Sequence, residues 1–111
     1  MNIEPSVLAR IQSDISNNDV VLYMKGTKLF PQCGFSAMVV SILEKLKIDF
    51  LDVNILTDAN LRQGIKDFTN WPTVPQLYYK GEFVGGCDIV REMYASNELH
   101  TLFNIKPDIQ A

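Results

Sequence analysis

The chain has 111 residues, of which 47% are hydrophobic and 21% are charged, and its formal net charge at pH 7 is -3. This length is typical of one domain with one hydrophobic core, so we expect residues 1–111 to form a single domain. The negative charge argues against a nucleic-acid-binding protein. No run of about 18 apolar residues is present, so no membrane-spanning segment is predicted.

The cysteines and the N-terminus indicate the cellular compartment. Two cysteines in a chain with this much apolar sequence do not form a disulfide framework. The N-terminus lacks a basic region followed by an apolar run, so we expect no secretory signal. A reducing, cytoplasmic location is therefore the default expectation, although a processed protein of an organellar matrix would have the same features.

The first half of the chain predicts a helix followed by a βαβ unit. Apolar residues recur at helical spacing in two segments, and one continuous apolar run is typical of a strand covered on both faces. The predicted helix, strand, helix and strand occupy residues 5–16, 20–24, 33–47 and 48–53. Strands joined by such a crossover are expected to be parallel.

The second half predicts a helix, a proline loop, a hairpin and further helices. Gly64 weakens the first of these helices by about 1 kcal/mol relative to alanine, and two prolines exclude regular structure from residues 70–75. The first helix follows a cap at 54–58 and buries Leu61, Ile65 and Phe68. Residues 76–79 and 83–85 are predicted to form the two strands of the hairpin. A helix then opens at 85–88 and buries Ile89, Val90, Met93 and Tyr94, and a short last helix contains Leu99, Leu102 and Phe103. Together the elements predict an α/β fold, with a mixed sheet and helices on both faces.

Cys33 begins the second predicted helix and is the centre of the functional hypothesis. The spacing of the apolar residues in this helix predicts one buried face, which consists of Phe35, Met38, Val39, Ile42, Leu43 and Leu46. Unpaired backbone N–H groups and the helix dipole would stabilise a thiolate at Cys33, the form that attacks disulfides and binds metals. The alternative is a cysteine that only packs. Pro31 and Gly34 indicate an exposed corner and favour the reactive thiol.

Three loops are expected to meet beside Cys33, because ligand sites gather at the carboxyl ends of parallel strands. One loop carries Lys25. In the second, the backbone of Val74 can bond an extended peptide, although base rates favour a trans bond before Pro75. In the third, Asp88 can cap a helix, pair with an amino group, or do both. With Arg62 as a second cation, the ligand would be an extended peptide with two terminal carboxylates and a thiol between them, as in glutathione.

Four motifs make the chain resemble the monothiol glutaredoxins. They are Lys25-Gly26-Thr27, Cys33-Gly34-Phe35-Ser36, Trp71-Pro72-Thr73-Val74-Pro75 and Gly85-Gly86-Cys87-Asp88. The resemblance extends from about residue 6 to residue 103 and implies a thioredoxin-like fold with a four-stranded mixed sheet. It also implies a cis bond before Pro75, against the base rate. Lys28 departs from the family, which often has proline there, so we expect a more flexible loop with less defined ligand contacts.

The same resemblance implies the ligands and the function. The implied glutathione site consists of Lys25, Arg62, the backbone of Val74, Cys87 and Asp88. Cys33 is implied to be the catalytic thiol and to ligate a [2Fe–2S] cluster shared between the two subunits of a homodimer. The implied role is to carry clusters in iron–sulfur assembly and to pass them to apo iron–sulfur proteins. Whether a BolA-like protein is a further partner is left open by the sequence.

A glutathione-dependent thiol–disulfide oxidoreductase is the alternative function. A dithiol reductase of this fold needs a cysteine at position 36, but Ser36 cannot form a disulfide, so only a monothiol mechanism is open. Cys87 is interpreted as a packed residue rather than a distant resolving thiol. A third hypothesis is a thioredoxin-like module that only binds other proteins and catalyses no reaction. The position of Cys33 at a helix N-terminus argues against it. We expect His100 on the surface and Trp71 to support the proline loop.

Overall fold

The computed structural model describes residues 3–106, in which four strands form one mixed sheet and five α-helices cover it. In chain order the elements are α1 (Pro5–Asn17), β1 (Val20–Met24), α2 (Gly34–Lys45), β2 (Leu51–Asn54), α3 (Ala59–Thr69), β3 (Gln76–Tyr79), β4 (Glu82–Gly85), α4 (Cys87–Ala95) and α5 (Glu98–Leu102). A short 3₁₀ turn, Ile55–Thr57, joins β2 to α3 and was not predicted.

The strand order in the sheet is β2-β1-β3-β4. Strands β1 and β2 are parallel, whereas β3 runs antiparallel to both β1 and β4. The predicted βαβ unit and hairpin are therefore confirmed, and with them the four-stranded mixed sheet of an α/β, thioredoxin-like fold. The carboxyl end of β1 lies at the centre of the sheet, where the loop leading to Cys33 begins.

Two hydrophobic cores lie on opposite faces of the sheet, and β1 contributes to both. Val20, Leu22 and Met24 face the core under α2, α4 and α5. Val21 and Tyr23 face the core under α1 and α3. Because successive side chains of a strand point to opposite faces, a strand covered on both sides must be apolar throughout, which explains the continuous run in the sequence.

Helix α2 ends two residues earlier than predicted, and β2 starts three residues later. Lys47 has a positive φ of 57°, and the N–H of Ile48 donates to the carbonyl of Leu43 at 3.0 Å. This left-handed turn satisfies the last carbonyls of the helix and ends it. The apolar segment from Ile48 therefore packs beside the sheet before pairing begins at Leu51.

Helix α3 has the predicted cap and a close neighbour. The carboxylate of Asp58 accepts hydrogen bonds from the N–H groups of Asn60 and Leu61, at 3.0 and 3.1 Å. A Cβ atom at Gly64 would lie 2.5 Å from a methyl carbon of Val7. The glycine that weakens α3 locally therefore allows α1 and α3 to approach closely on the same face of the sheet.

Four burial predictions are wrong. Phe35, Met38 and Ile89 are 63%, 41% and 38% exposed, because the core-facing sides of α2 and α4 are formed by other residues, Ser36, Val39, Val40, Ile42 and Leu43 in α2 and Val90 in α4. His100 is buried, because α5 folds back on the core and stacks the imidazole on Tyr94 with ring centroids 5.6 Å apart. No helix among residues 3–106 combines the length and hydropathy needed to cross a membrane.

Candidate functional site

Cys33 is the N-cap residue of α2. Its backbone is extended, with φ -149° and ψ 137°, and its side chain is partly exposed. The backbone N–H of Ser36 lowers the pKa of the Cys33 thiol, helped by the N–H of Phe35, the charge of Lys25 and the Ser36 hydroxyl, while partial burial opposes the shift. The predicted thiolate at a helix start therefore has a physical basis in this structure.

Ser36 also connects α2 to the loop after β1. It is fully buried, and its Oγ accepts a hydrogen bond from the backbone N–H of Lys25 at 3.1 Å. This contact keeps the start of the Lys25 loop beside the Cys33 helix. The residue that replaces a resolving cysteine is therefore a structural link between two parts of the site.

The loop from Lys25 to Gln32 is a closed turn. The N–H of Gln32 donates to the carbonyl of Lys25 at 2.9 Å, and the N–H of Gly26 donates to Asn54 Oδ1 at 3.0 Å. A Cβ atom at Gly26, where φ is +90°, would lie 2.5 Å from the carbonyl oxygen of Phe30. Glycine is required here because the backbone segments are so close.

Lys28, where the sequence predicted a more flexible loop, contacts β2 and the residue before it. Its backbone N–H donates to Asp52 Oδ2 at 2.8 Å, and its Nζ donates to the carbonyl of Phe50 at 2.6 Å. The same ammonium lies 4.3 Å from the centroid of the Phe50 ring. A lysine can thus restrict this position by contacts instead of by the fixed φ of proline.

The Val74–Pro75 peptide bond is cis. This confirms the expectation drawn from the family resemblance and corrects the base-rate preference for a trans bond. The loop packs against the start of α4, since a Cβ atom at Gly86 would lie 3.3 Å from both the carbonyl oxygen of Pro75 and Nε1 of Trp71. Trp71 therefore supports the proline loop, as predicted, and the residue as a whole is 38% exposed.

Asp88 does not cap α4. The helix begins at Cys87 with Gly86 as its N-cap residue, and no side chain caps it. Asp88 lies within the first turn, two positions after the N-cap residue, and so does not take the capping role that the sequence suggested. Its carboxylate is therefore available at a helix N-terminus beside the proline loop.

Two adjoining pockets bring the predicted site residues together. The first has a volume of about 290 Å³ and is lined by Lys25, Cys33, Phe35, Arg62, Lys66, Pro72, Thr73 and Val74. The second has a volume of about 240 Å³ and is lined by Phe35, Trp71, Thr73, Val74, Pro75, Gly86, Cys87, Asp88 and Ile89. All six residues singled out in the sequence line one or both pockets, so the three loops do converge.

Several of the lining residues had no assigned role at the site. Lys66 lies four positions after Arg62 in α3, a spacing that places both side chains on one face of the helix and could have identified it. Thr73 stood inside a recognised motif without an assigned role. Phe35 and Ile89 were assigned to the core, and only their exposure in the folded chain indicates that they border the pockets.

Within the part of the chain that the structure describes, the donor atoms do not form a metal site by themselves. Among residues 3–106, no group of three or more His, Cys, Asp or Glu side chains could hold a metal ion. At the pockets, the only thiol with a lowered pKa is that of Cys33, because burial raises the pKa of Cys87, with the charge of Asp88 adding to the shift. One chain can therefore offer one thiolate, and any cluster would need ligands from elsewhere.

Residues 20–84 match the family model described as Glutaredoxin. The chain belongs to this family. It is 58% identical over 92 residues to a protein of Rickettsia conorii that carries the name monothiol glutaredoxin 2, covering 83% of this chain and 86% of the relative. This monothiol glutaredoxin is also similar to the solution structure of reduced poplar apo GrxS14, with a TM-score of 0.82, 50% identity and coverage of 94% and 95%.

The fold extends to more distant glutaredoxins. A buckwheat glutaredoxin, solved as a complex with glutathione, has a TM-score of 0.78 to this glutaredoxin, with coverage of 89% and 88%. The two chains are only 20% identical, so this similarity concerns the fold. In the present chain, the segment shared with the family model carries the Cys33 helix start, Arg62 and the cis-proline loop. Cys87 and Asp88 lie just beyond the end of that segment, after two glycines.

Proposed function

We propose that this glutaredoxin binds glutathione and carries a [2Fe–2S] cluster between proteins, with the cluster as its cargo. The observation that supports the proposal best is the convergence of Cys33, two cationic side chains and the cis-proline loop on adjoining pockets. Iron–sulfur assembly in the cytoplasm is the proposed setting, with apo iron–sulfur proteins as recipients and BolA-like proteins as possible partners.

The pockets suit an extended peptide with a charge at each end. Lys25 and Arg62, with Lys66 beside them, offer positive charge for one carboxylate. The start of α4 offers backbone N–H groups for the other carboxylate, and Asp88 offers an anion for the α-amino group. Val74, between them, can add the peptide backbone as a further strand. The thiol of glutathione would then lie next to Cys33.

The ligand count leads to a dimer. A [2Fe–2S] cluster is normally closed by four ligands, mostly thiolates. One chain supplies Cys33, and a bound glutathione supplies a second thiolate. Two chains and two glutathiones complete the set in a homodimer with two-fold symmetry. Because two ligands are small molecules that exchange, the cargo would be released readily, which suits a carrier.

The second candidate is a monothiol oxidoreductase, and the lowered pKa of Cys33 favours it. In this reaction the Cys33 thiolate attacks the glutathione sulfur of a mixed disulfide and releases the client as a thiolate. A second glutathione thiolate then attacks the Cys33–glutathione disulfide, giving oxidised glutathione and regenerating Cys33. Because Ser36 cannot resolve the intermediate and burial raises the pKa of Cys87, the step depends on external glutathione.

The test is to reconstitute the protein with iron and sulfide without oxygen, with and without glutathione. We expect the visible absorption of a [2Fe–2S] cluster only with glutathione, one glutathione per chain, and sedimentation as a dimer. The apo-protein should sediment mainly as a monomer. A monomeric cluster-bound protein, or one that contains iron without glutathione, would contradict the proposal. Activity on a glutathionylated peptide measures the second candidate separately.

A further inference from the structure

Gln76 is a fully buried amide directly after the cis-proline loop. It is the first residue of β3, where it pairs with Tyr23 of the central strand. Buried amides are uncommon, because each polar atom needs a partner inside the protein. The partners of Gln76 therefore indicate what the residue does.

Both ends of the Gln76 amide have hydrogen-bond partners. Its Oε1 accepts from the hydroxyl of Tyr78 at 3.0 Å. The hydroxyl of Thr69 lies 3.1 Å from the same oxygen, and its single proton is shared with the carbonyl of Ile65 at 2.9 Å. Its Nε2 donates to the carbonyl oxygens of Trp71 at 3.2 Å and Thr73 at 3.1 Å. Since carbonyls can only accept, the two loop contacts determine which end of the amide is nitrogen. The nitrogen of the amide binds the proline loop, and its oxygen is bound by side chains of the protein interior.

The bond to Thr73 determines the direction of the next N–H group. The carbonyl of Thr73 and the N–H of Val74 belong to one planar peptide unit, and in a trans peptide they point in opposite directions. The only cis bond among the described residues is the one between Val74 and Pro75. With its carbonyl turned inward to Gln76, this unit turns the Val74 N–H outward, towards the two pockets that Val74 lines.

We infer that Gln76 is a positioning residue that aims the Val74 N–H at a peptide ligand in the adjoining pockets. The inference rests on the proposed function, since glutathione is the peptide in question. Gln76 contributes no atom to either pocket, so it acts through Thr73 and Val74. An apolar residue of similar size would fill the same volume but would leave the peptide unit free to rotate.

Two substitutions separate positioning from packing. Gln76→Glu keeps the acceptors for Thr69 and Tyr78 but presents an oxygen to the two loop carbonyls, which repel it. Gln76→Met removes the bonds to both loop carbonyls and to Tyr78 without burying a charge, so it serves if Gln76→Glu does not fold. The matched control is Tyr23→Phe, which removes a different tyrosine hydroxyl bond, to Asp14 at 3.1 Å, on the same face of the sheet.

The experiment measures glutathione affinity by calorimetry, together with the alkylation rate of Cys33 and the fluorescence of Trp71, the only tryptophan in the chain. We expect both Gln76 variants to bind glutathione about tenfold more weakly, the loss of roughly one backbone hydrogen bond. Trp71 emission should shift. Cys33 alkylation should stay within twofold, because the groups that lower its pKa do not include Gln76.

Three results would overturn the inference. The first is wild-type affinity in a folded Gln76 variant. The second is an equal affinity loss in Tyr23→Phe, which would make the effect one of general stability. The third is wild-type protein that does not bind glutathione, and this result alone would also remove the proposed function. The first two leave glutathione binding by the wild type intact, so the two failures are distinguishable.

Discussion

Two helices of this glutaredoxin begin at a cysteine, yet the two thiols differ. Cys33 is the N-cap residue of α2, and its thiol pKa is lowered, first by the N–H of Ser36. Cys87 is the first residue inside α4, and its thiol pKa is raised, first by burial and then by the charge of Asp88. A cysteine near a helix N-terminus is therefore not reactive by position alone.

The two thiol pKa values differ because the cysteines occupy adjacent positions at the helix start, N-cap and first helical residue, and because the nearby charges differ. An N-cap side chain can accept from the free N–H groups of the first turn, whereas a side chain inside the helix points away from them. Lys25 lies near Cys33, while a carboxylate follows Cys87. The same fold element thus gives one thiol suited to ionise and one that stays protonated at neutral pH.

Replacing each cysteine by serine tests this comparison with the largest expected effect. Cys33→Ser should abolish cluster binding and mixed-disulfide formation, because a hydroxyl stays protonated where the thiol ionises. Cys87→Ser should retain most of the cluster binding and most of the mixed-disulfide formation. Iron and acid-labile sulfide per chain, measured after reconstitution with glutathione, check the result. Comparable iron loss in both variants would make Cys87 a ligand, and equal melting temperatures would show that neither result reflects unfolding.

The cationic side of the Cys33 pocket provides the next test. Lys25→Gln or Arg62→Gln should weaken glutathione binding by about 1–3 kcal/mol, the range for hydrogen bonds to charged groups. The loss should shrink for an analogue with its glycine carboxylate amidated, because the attraction requires the negative charge. Calorimetry with both ligands measures the difference.

Lys45→Gln is the matched control, since Lys45 lies in the last turn of α2, outside both pockets. It should leave affinity unchanged for both compounds. If Lys25→Gln weakens glutathione and its amidated analogue equally, these cations do not contact the glycine carboxylate, and the assigned orientation of the peptide is wrong.

The sequence predicted the elements well because local patterns determine them. The apolar run of β1 and the helical spacing in α1 and α3 reflect burial directly, and the predicted sheet followed from their order. The loop residues of the site were predicted through short motifs with fixed spacing. The structure brings those residues to adjoining pockets, while their roles in binding stay predictions.

The errors in burial share one cause, which is that distant parts of the chain decide exposure. Phe35 has the spacing of a core residue but extends past the core, and its side chain borders both pockets. His100 has the polarity of a surface residue but is covered when α5 folds back. Likewise, only tertiary structure shows that Gln76 reaches two loop carbonyls or that Lys28 reaches Phe50.

The pH dependence of alkylation sharpens the comparison of the two thiols. In Cys87→Ser protein, the alkylation rate of Cys33 should rise through a midpoint below that of an ordinary thiol, since the thiolate is the reactive form. In Cys33→Ser protein, the midpoint for alkylation of Cys87 should lie above that of an ordinary thiol. Iodoacetamide rates across a pH series give both values.

Charge substitutions should move these midpoints in opposite directions. Lys25→Gln should raise the pKa of Cys33, because it removes a positive charge that favours the thiolate. Asp88→Asn should lower the pKa of Cys87, because it removes a negative charge that opposes it. In the single-cysteine proteins, where the charge of Cys33 cannot act on Cys87, each substitution should leave the other thiol unchanged. A shift of both midpoints by either substitution would mean that the two thiols respond to the field of the whole protein.

The smallest effects should come from the glycines beside the two cysteines. A Cβ atom at Gly34 would meet nothing within 4 Å, whereas at Gly86 it would lie 3.3 Å from the carbonyl oxygen of Pro75 and from Trp71 Nε1. Gly34→Ala should therefore stabilise the fold by about 0.5 kcal/mol, by restricting the unfolded chain. Gly86→Ala should destabilise it by about 1 kcal/mol, through crowding of the proline loop. Urea unfolding measures both, and equal effects would show that the loop moves away without cost.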